Sequence, residues 1–420
     1  MRTLVSFYPH NIGKEVTSYL TVDTVRDQKH LQFILAHDHT GPIQFVVSKE
    51  RVPNHHEIGH MLVGSTFVVH GTLVASKQSK TAGIEISVSQ IEIMSLAQAM
   101  PVNSDSEFAN RFQKRVVDLK SEKSQLMLNL RSTFEQGCRE YALRMWGMTE
   151  IHTPKLMGGQ SETGSEVFKL KYFDTTAFLA QSPQFYKQMG IASGLEGVFE
   201  IGPVFRAEQS RSSRHMTEFT GLDVEVAWVF DVEEVMYLEM AMLTFAFEKL
   251  QKYANDVERL FGLKLLSHPT VRYMEMSEAK ELLGTAARTE DLTDENERQL
   301  YEIVGADLIF VKNYPISKRP FYHMWEEDKG TTKSFDLIFR GIEITTGAIR
   351  EHRLDRLEAQ AAKKGIDLTN IDFYLDNFRY GCPPHGGFGL GIERVITKLL
   401  GYTNVKEAAF VARDPDWLVP

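Results

Sequence analysis

GVFEIGPVFRAEQSRSSRHMTEFTGLDVEVAWV, residues 197–229, decides how the rest of the chain is read. Two apolar, strand-like runs flank a polar loop that carries Arg211, Arg214 and His215, and Arg206 closes the first run. The pattern predicts a hairpin with arginines at its tip. In a chain of net charge −9 this is an unusual concentration of cations. Guanidinium forks match phosphate oxygens. A solvated hairpin loop explains the same composition equally well.

GCPPHGGFGLGIERV (381–395) is the second marker. Five glycines fall within eleven residues, and an apparent helix containing Arg394 follows. Glycine lets a backbone approach a flat ligand closely. Neither GxGxxG in a βαβ unit nor GxxxxGK[ST] is present, so the usual dinucleotide and P-loop folds are disfavoured. A tight strand-to-helix turn is the plain alternative.

Around these markers lies a chain of 420 residues, long enough for two or three domains. Its 43% apolar and 25% charged content is that of a globular protein. No apolar run reaches the ~18 residues a membrane helix needs. MRTLVSFYPHNIGKEV, at the start, lacks the apolar core of a signal peptide. Two cysteines, Cys138 and Cys382, cannot build a disulfide framework or a cysteine metal site. The expected setting is the cytoplasm. Net acidity argues against a protein that coats nucleic acid non-specifically, although residues 1–97 are balanced, with 8 Lys+Arg and 8 Asp+Glu.

Those 97 residues read as five short strands, at 18–25, 31–38, 42–48, 65–75 and 83–95, with DHTG (38–41) as a hairpin turn. Five strands in so short a stretch predict a small barrel, either an OB-fold or an SH3-like one. Residues 98–115 read as a hinge or linker, and 116–420 as the second domain. Phe108, Phe112, Val116 and Leu119 fall on one helical face, as do Phe134, Cys138, Ala142 and Met145. A helix is expected over 231–262, with Asp231 as N-cap and Gly262 as its end. FDLIFRGIEITTG (335–347) reads as strand, and HRLDRLEAQAAKKG (352–365) as helix with Gly365 as the stop. Asp336 and Glu343 are an odd number of residues apart, so a continuous strand would put them on opposite faces. A shared role needs a bend or bulge, for which Gly341 offers a place.

Taken together, FRAE (205–208) and GLGIER (389–394) resemble motifs 2 and 3 of the class II aminoacyl-tRNA synthetases. The stretch 125–154, ending in MTEIHTPK, resembles motif 1, and 381–400 spans motif 3. LAQSPQFYKQ (179–188), TEFTGLD (217–223), RPFY (319–322) and TTGAIREHR (345–353) are similar to the aspartyl subgroup of archaeal and eukaryotic type. LQFILAHDHTGPIQ looks like its anticodon-binding strand pair. The motifs leave no room for the large insertion domain of the typical bacterial enzyme.

The resemblance implies an α+β chain: a class II antiparallel sheet with flanking helices, preceded by a five-stranded OB-fold barrel. It implies activation of L-aspartate by ATP and transfer to tRNA(Asp) by a homodimer, and leaves open whether tRNA(Asn) is an acceptor as well. The same family positions put Arg206 on the α-phosphate and the attacking carboxylate, and Arg214, His215 and Arg394 on the β- and γ-phosphates. Glu208 and Phe219 complete the ATP set, with adenine between Phe219 and Arg394. Glu343 and Thr346 are implied as Mg²⁺ ligands, and Asp336 as a weaker one. Lys187 and Arg350 would read the aspartate side chain, with Tyr322, Thr346 and Arg206 around it. Glu162 and Gln184 would meet the α-ammonium. Phe33, Gln44 and Glu85 are the matching anticodon-reading positions.

Some positions depart from the family pattern. Thr163 follows Glu162 where glycine is usual, Ile349 precedes Arg350 where glutamine is usual, and Asp23 stands in place of a tryptophan. The chain ends in FVARDPDWLVP (410–420), without the usual proline before Arg413 and with Trp417 replacing a basic residue. The competing readings are a paralogue that passes activated aspartate to ammonia or a small amine, and a non-catalytic RNA-binding relative. The N-terminal barrel argues against the first. Arg206, Glu343, Arg350 and Arg394 argue against the second.

Overall fold

The computed structural model describes residues 2–77, 79, 83–159, 166–284 and 291–419. The chain divides into two compact units, Met1–Ser121 and Glu122–Pro420.

In the first unit, strands β1 (Glu15–Asp27), β2 (Leu31–Asp38) and β3 (Gly41–Ser48) precede a short helix α1 (His55–Gly59), then β4 (Thr66–Ala75) and β5 (Ile84–Ser95) follow. They close into a barrel in the order β1-β2-β3-β5-β4. That is the five-stranded Greek-key arrangement of an OB-fold. Alternation drives it: along β2 every second residue is buried, and Ile34, Ala36, Ile43, Phe45 and Val47 fill the interior. Each large apolar side chain so buried contributes roughly 1.5–3 kcal/mol. The β2–β3 turn is held by the Asp38 carboxylate, which accepts from the backbone N–H groups of Thr40 and Val5.

The unit ends in two short helices, α2 (Phe108–Gln113) and α3 (Arg115–Asp118). The single helical face expected from Phe108 to Leu119 is broken here. Lys114 leaves helical geometry, Arg111 and Arg115 converge on the Asp118 carboxylate, and Val116 is turned out to 72% exposure.

The second unit begins with α4 (Glu122–Glu140), whose Phe134, Cys138 and, one turn beyond, Ala142 are buried as the spacing predicts. Short strands β6 (Thr149–Glu150), β7 (Leu156–Met157), β8 (Lys169–Tyr172) and β9 (Thr175–Leu179) lead to α5 (Gln184–Ala192). The predicted hairpin is β10 (Gly197–Phe205) and β11 (Glu218–Ala227). The long helix expected next is segmented into α6 (Val232–Leu250), a single 3-10 turn and α7 (Ala254–Phe261). Asp231 forms a capping box with Glu234, and Gly262 ends α7 at φ 67°.

Then come β12 (Val271–Glu275), α8 (Met276–Leu283), α9 (Asp294–Val304), β13 (Leu308–Lys312), β14 (Trp325–Glu326) and β15 (Thr331–Thr332). The site strands β16 (Ser334–Phe339) and β17 (Ile342–Ile349) follow, then α10 (Leu354–Lys363), α11 (Asp372–Arg379), β18 (His385–Gly391) and α12 (Ile392–Leu399).

Eight of these strands form one sheet, in the order β12-β13-β16-β17-β18-β11-β10-β6. The glycine strand β18 thus joins two halves. Its glycines are required by closeness: a Cβ on Gly387 would collide with the Val224 carbonyl and the Glu225 carboxylate. One face of the sheet packs against α4, α6 and α12 through a core that includes Phe134, Phe247, Phe339 and Phe388. Among the described residues no helix is long and apolar enough to cross a membrane.

The single strand expected over 335–347 is instead a hairpin. It turns at Arg340 and Gly341, which adopt φ 45° and 80°, and Asp307 holds the Arg340 guanidinium. The register runs Leu337↔Thr345 and then Ile338↔Glu343, so Ile344 is an extra residue in β17. This bulge cancels the odd spacing. Asp336 pairs directly with Thr346, and Glu343 returns to their face.

Candidate active site

An open cleft lies over β10, β11, β17 and β18. Arg206, Glu208, Arg214, His215, Phe219, Glu343, Thr346 and Arg394 all line it. Sequence reasoning had placed every one of these at an ATP, metal or substrate position.

The arginines are held in different ways. Arg206 leaves the end of β10 and lies over the Phe219 ring at 5.5 Å. Arg214 is clamped by Asp294 at 2.9 Å and by Glu297, both from the first turn of α9. Arg394 donates to the Glu343 carbonyl at 2.7 Å and lies 3.5 Å from its carboxylate. His215 is fixed by the Ser212 hydroxyl at 2.6 Å, and burial, then the Arg394 charge, lowers its affinity for a proton.

Carboxylates crowd the opposite wall. Burial, and next the charge on Asp336, pushes the Glu343 carboxyl up to about 7. Burial also raises Glu297, against the pull of Arg214. Glu297 accepts from the Glu343 backbone N–H at 2.7 Å. Asp336 is the better satisfied group: one oxygen takes Arg319 at 2.5 Å and the other takes the Thr346 hydroxyl at 2.8 Å. Among the described residues no three His, Cys, Asp or Glu side chains form a ready-made metal cage.

Below the cleft lies a second, buried group. The Lys187 ammonium touches Asp223 at 3.0 Å, Glu225 at 3.3 Å and the carbonyls of Val224 and Phe388. The Arg350 guanidinium donates to Glu225 at 2.9 Å, to His323 at 2.9 Å and to the Gly387 carbonyl at 3.0 Å. Gln184 donates to Glu225, and Tyr322 lies under Arg350 at 5.8 Å. Burial alone would raise the Glu225 carboxyl, but Arg350 and then Lys187 outweigh it and hold it below the usual range. Asp223 connects the two groups, since it both pairs with Lys187 and lines the cleft. Glu162 lies outside the described residues.

On the barrel, Phe33, Gln44 and Glu85 are half-buried on the outer face rather than in the core. Leu35 pairs with Gln44, and Val46 pairs with both Phe33 and Ser87, which sets the three residues on adjacent strands at nearly one level. His37 on the same face of β2 is bonded to Asp23 at 2.7 Å.

Several partners escaped the sequence. Asp223 and Glu225 carried a signal, two carboxylates at same-face spacing in an apolar strand. Asp294 and Glu297 showed only as an acidic first turn after a Thr293 cap. Arg319 entered only as the first residue of RPFY, with no role attached, and His323 gave no signal, because their partners are distant in sequence.

The sheet, antiparallel except for its parallel edge pairs β6–β10 and β12–β13, the arginine hairpin and the glycine strand running into an arginine-bearing helix are the architecture of a class II synthetase catalytic unit. The model of that family, tRNA synthetases class II (D, K and N), matches residues 107–414, and the chain belongs to it. It is 38% identical to the aspartate–tRNA(Asp/Asn) ligase of Thermus thermophilus, with all of both chains covered. It is 37% identical to the aspartate–tRNA(Asp) ligase of Pyrococcus abyssi, with 97% of each chain covered. Among solved structures it resembles the asparaginyl-tRNA synthetase of Pyrococcus horikoshii bound to asparaginyl-adenylate, with a TM-score of 0.93, 29% identity and complete coverage of both.

Proposed function

We propose that the chain is an aspartate–tRNA ligase, which activates L-aspartate with ATP and transfers it to the 3′ end of tRNA(Asp), and also of tRNA(Asn). The observation that carries this reading is the buried Lys187–Arg350 pair beside an arginine-lined cleft. A side-chain carboxylate needs fixed cations; a side-chain amide does not.

The first step joins two anions, the α-carboxylate of aspartate and the α-phosphate of ATP. Their repulsion has to be offset by pre-placed cations. Arg206 serves the α-phosphate and the attacking oxygen, and Arg214, His215 and Arg394 take the β- and γ-phosphates. Phe219 stacks on adenine, a contact open to it once the Arg206 guanidinium turns from its ring to phosphate. Glu343 and Thr346 are the residues that would hold Mg²⁺. Glu343 has Arg394 3.5 Å away, yet burial and Asp336 still make its carboxyl costly to ionise, so the donor set fits a further, hard divalent ion. When bound, Mg²⁺ supplies charge neutralisation at the phosphates. Asp336, already engaged by Arg319 and Thr346, orients Thr346.

On the barrel, Phe33 would stack on an unpaired base, worth ~1–3 kcal/mol, with Gln44 and Glu85 reading base edges. The working form is a cytoplasmic homodimer, in which a second copy covers the exposed Leu143, Met145 and Trp146 beyond α4.

The test is ATP-dependent charging of labelled aspartate onto tRNA(Asp) and tRNA(Asn) transcripts, with asparagine as control substrate. Charging of both transcripts with aspartate is the expected result. Charging with asparagine in its place would favour the specificity of the asparaginyl relative. Aspartate-dependent pyrophosphate exchange without charging of either transcript would favour the small-amine paralogue.

A further inference from the structure

His323 has no part in the motifs, yet it sits against the residue assigned to the substrate side chain. It is 2% exposed, its backbone bridges that of Arg350, and its Nε2 lies 2.9 Å from Arg350 Nη1. A guanidinium has only N–H donors, so Nε2 is the acceptor and the ring proton resides on Nδ1. Nδ1 is buried without a partner among the described residues. Leaving a buried donor unmet carries a cost. The fold bears that cost where a smaller or apolar side chain would have avoided it.

We propose that His323 is a specificity-determining positioning residue: it fixes the Arg350 guanidinium from one side without cancelling its charge, and so biases the pocket toward an anionic substrate side chain. The inference rests on the reading of Arg350 as the aspartate-binding cation. Its logic is one of alternatives. Glu225 already holds one edge of the guanidinium and is shared with Lys187. Those two cations face two carboxylates, Asp223 and Glu225, so the group is balanced before any substrate enters. A second carboxylate at position 323 would hold Arg350 as well and make the pocket net negative. An apolar residue would remove the contact to Nη1. A neutral acceptor does neither. Burial, then the Arg350 charge, drives the His323 pKa well below its ordinary value, and Arg319, Lys364 and Lys187 act in the same direction. The ring therefore stays neutral.

The experiment is aspartate- and asparagine-dependent pyrophosphate exchange by the full chain, with His323→Leu, His323→Gln and His323→Glu and a melting curve for each variant. His323→Leu should raise the aspartate KM by about tenfold, with kcat and the ATP KM nearly unchanged, the pattern of lost uniform binding. His323→Gln, a neutral acceptor, should recover most of that loss. His323→Glu should lower the aspartate-over-asparagine ratio of kcat/KM by about tenfold or more. If Leu fails to fold, the Gln and Glu comparison carries the test alone. An aspartate KM and an aspartate-over-asparagine ratio that stay at wild-type values in the folded variants would overturn the role of His323 and leave the proposed function standing. Wild-type protein that exchanges with asparagine and not with aspartate would overturn both.

Discussion

Lys187 and Arg350 lie in the deep group with side-chain exposures of 1% and 3%, tied to carboxylates that are themselves buried. Arg206, at the open end, is 42% exposed, and Glu208 stands 3.9 Å away. The same residue type thus serves two designs. At the deep end charge is paired before the substrate arrives, which sets geometry and leaves little net field. At the open end charge is kept available and acts when phosphate is present. Loss of a deep cation should therefore strike the fold, and loss of an open one should strike the reaction.

The sharpest way to break this contrast is Lys187→Met. It leaves Asp223 and Glu225 short of a buried partner, and removal of one member of a buried pair costs about 3–5 kcal/mol. Chemical denaturation should show that loss, together with loss of aspartate-dependent exchange. A stability unchanged within error would mean the deep group is not preorganised. Next comes Arg206→Ala, expected to lower kcat by about 10²–10³-fold, or ~2.7–4 kcal/mol of transition-state stabilisation. Its melting temperature should hold, and a large drop in it would erase the difference between the two ends.

A third test uses the other face of the same sheet. Glu239 on α6 is fully buried and accepts from the Thr345 hydroxyl at 2.6 Å, while its second oxygen has no partner among the described residues. Burial pushes it up to about 8, whereas the equally buried Glu225, with two cations, is lowered. A carboxyl raised in the folded state favours folding fully below its unfolded value near 4.5, and that stability is lost as pH climbs through 8. Glu239→Gln cannot ionise and can still accept from Thr345. It should match wild type at pH 5 and exceed it by roughly 1–3 kcal/mol at pH 8.5. Parallel stability curves for the two proteins would show that Glu239 does not titrate in this window.

The smallest effect is expected at the rim. Arg211 and Asp416 form a bidentate pair at 2.6 and 2.9 Å, but their side chains are 66% and 48% exposed. Asp416→Ala should leave stability close to that of wild type, because exposed pairs contribute little, and salt should shrink even that difference. A larger, salt-resistant loss in urea melts would show that the loop depends on this tie.

Legibility in the sequence followed how local each feature is. The barrel strands were readable because alternation over 31–38 and 42–48 is a property of neighbours. The cleft residues were readable because FRAE and GLGIER are contiguous. Gly341 was legible as a place for a bend, but not the full hairpin, because FRG carries little turn signal within an apolar run, and because a bulge at Ile344 is set by pairing, which a linear pattern does not record. The clamp on Arg214 was missed for a related reason: Asp294 and Glu297 reach it from a helix some eighty residues onward. The cations were recognisable through the motifs that hold them; of the anions that aim them, only Asp223 and Glu225 left a mark in the pattern.

The place of β18 bears on how the protein is made. It pairs with β11 on one side and β17 on the other, and it comes after both in the chain. Until His385–Gly391 leaves the ribosome, the nascent catalytic unit holds two half-sheets with unpaired edges. Such edges are open to wrong partners, and the pairing of β18 with β11, from Gly221 with Gly391 to Ala227 with His385, spans well over a hundred residues, a closure that folds slowly. Nucleotide affinity should therefore appear abruptly and late in synthesis, and the growing chain should rely on chaperone cover for most of its translation.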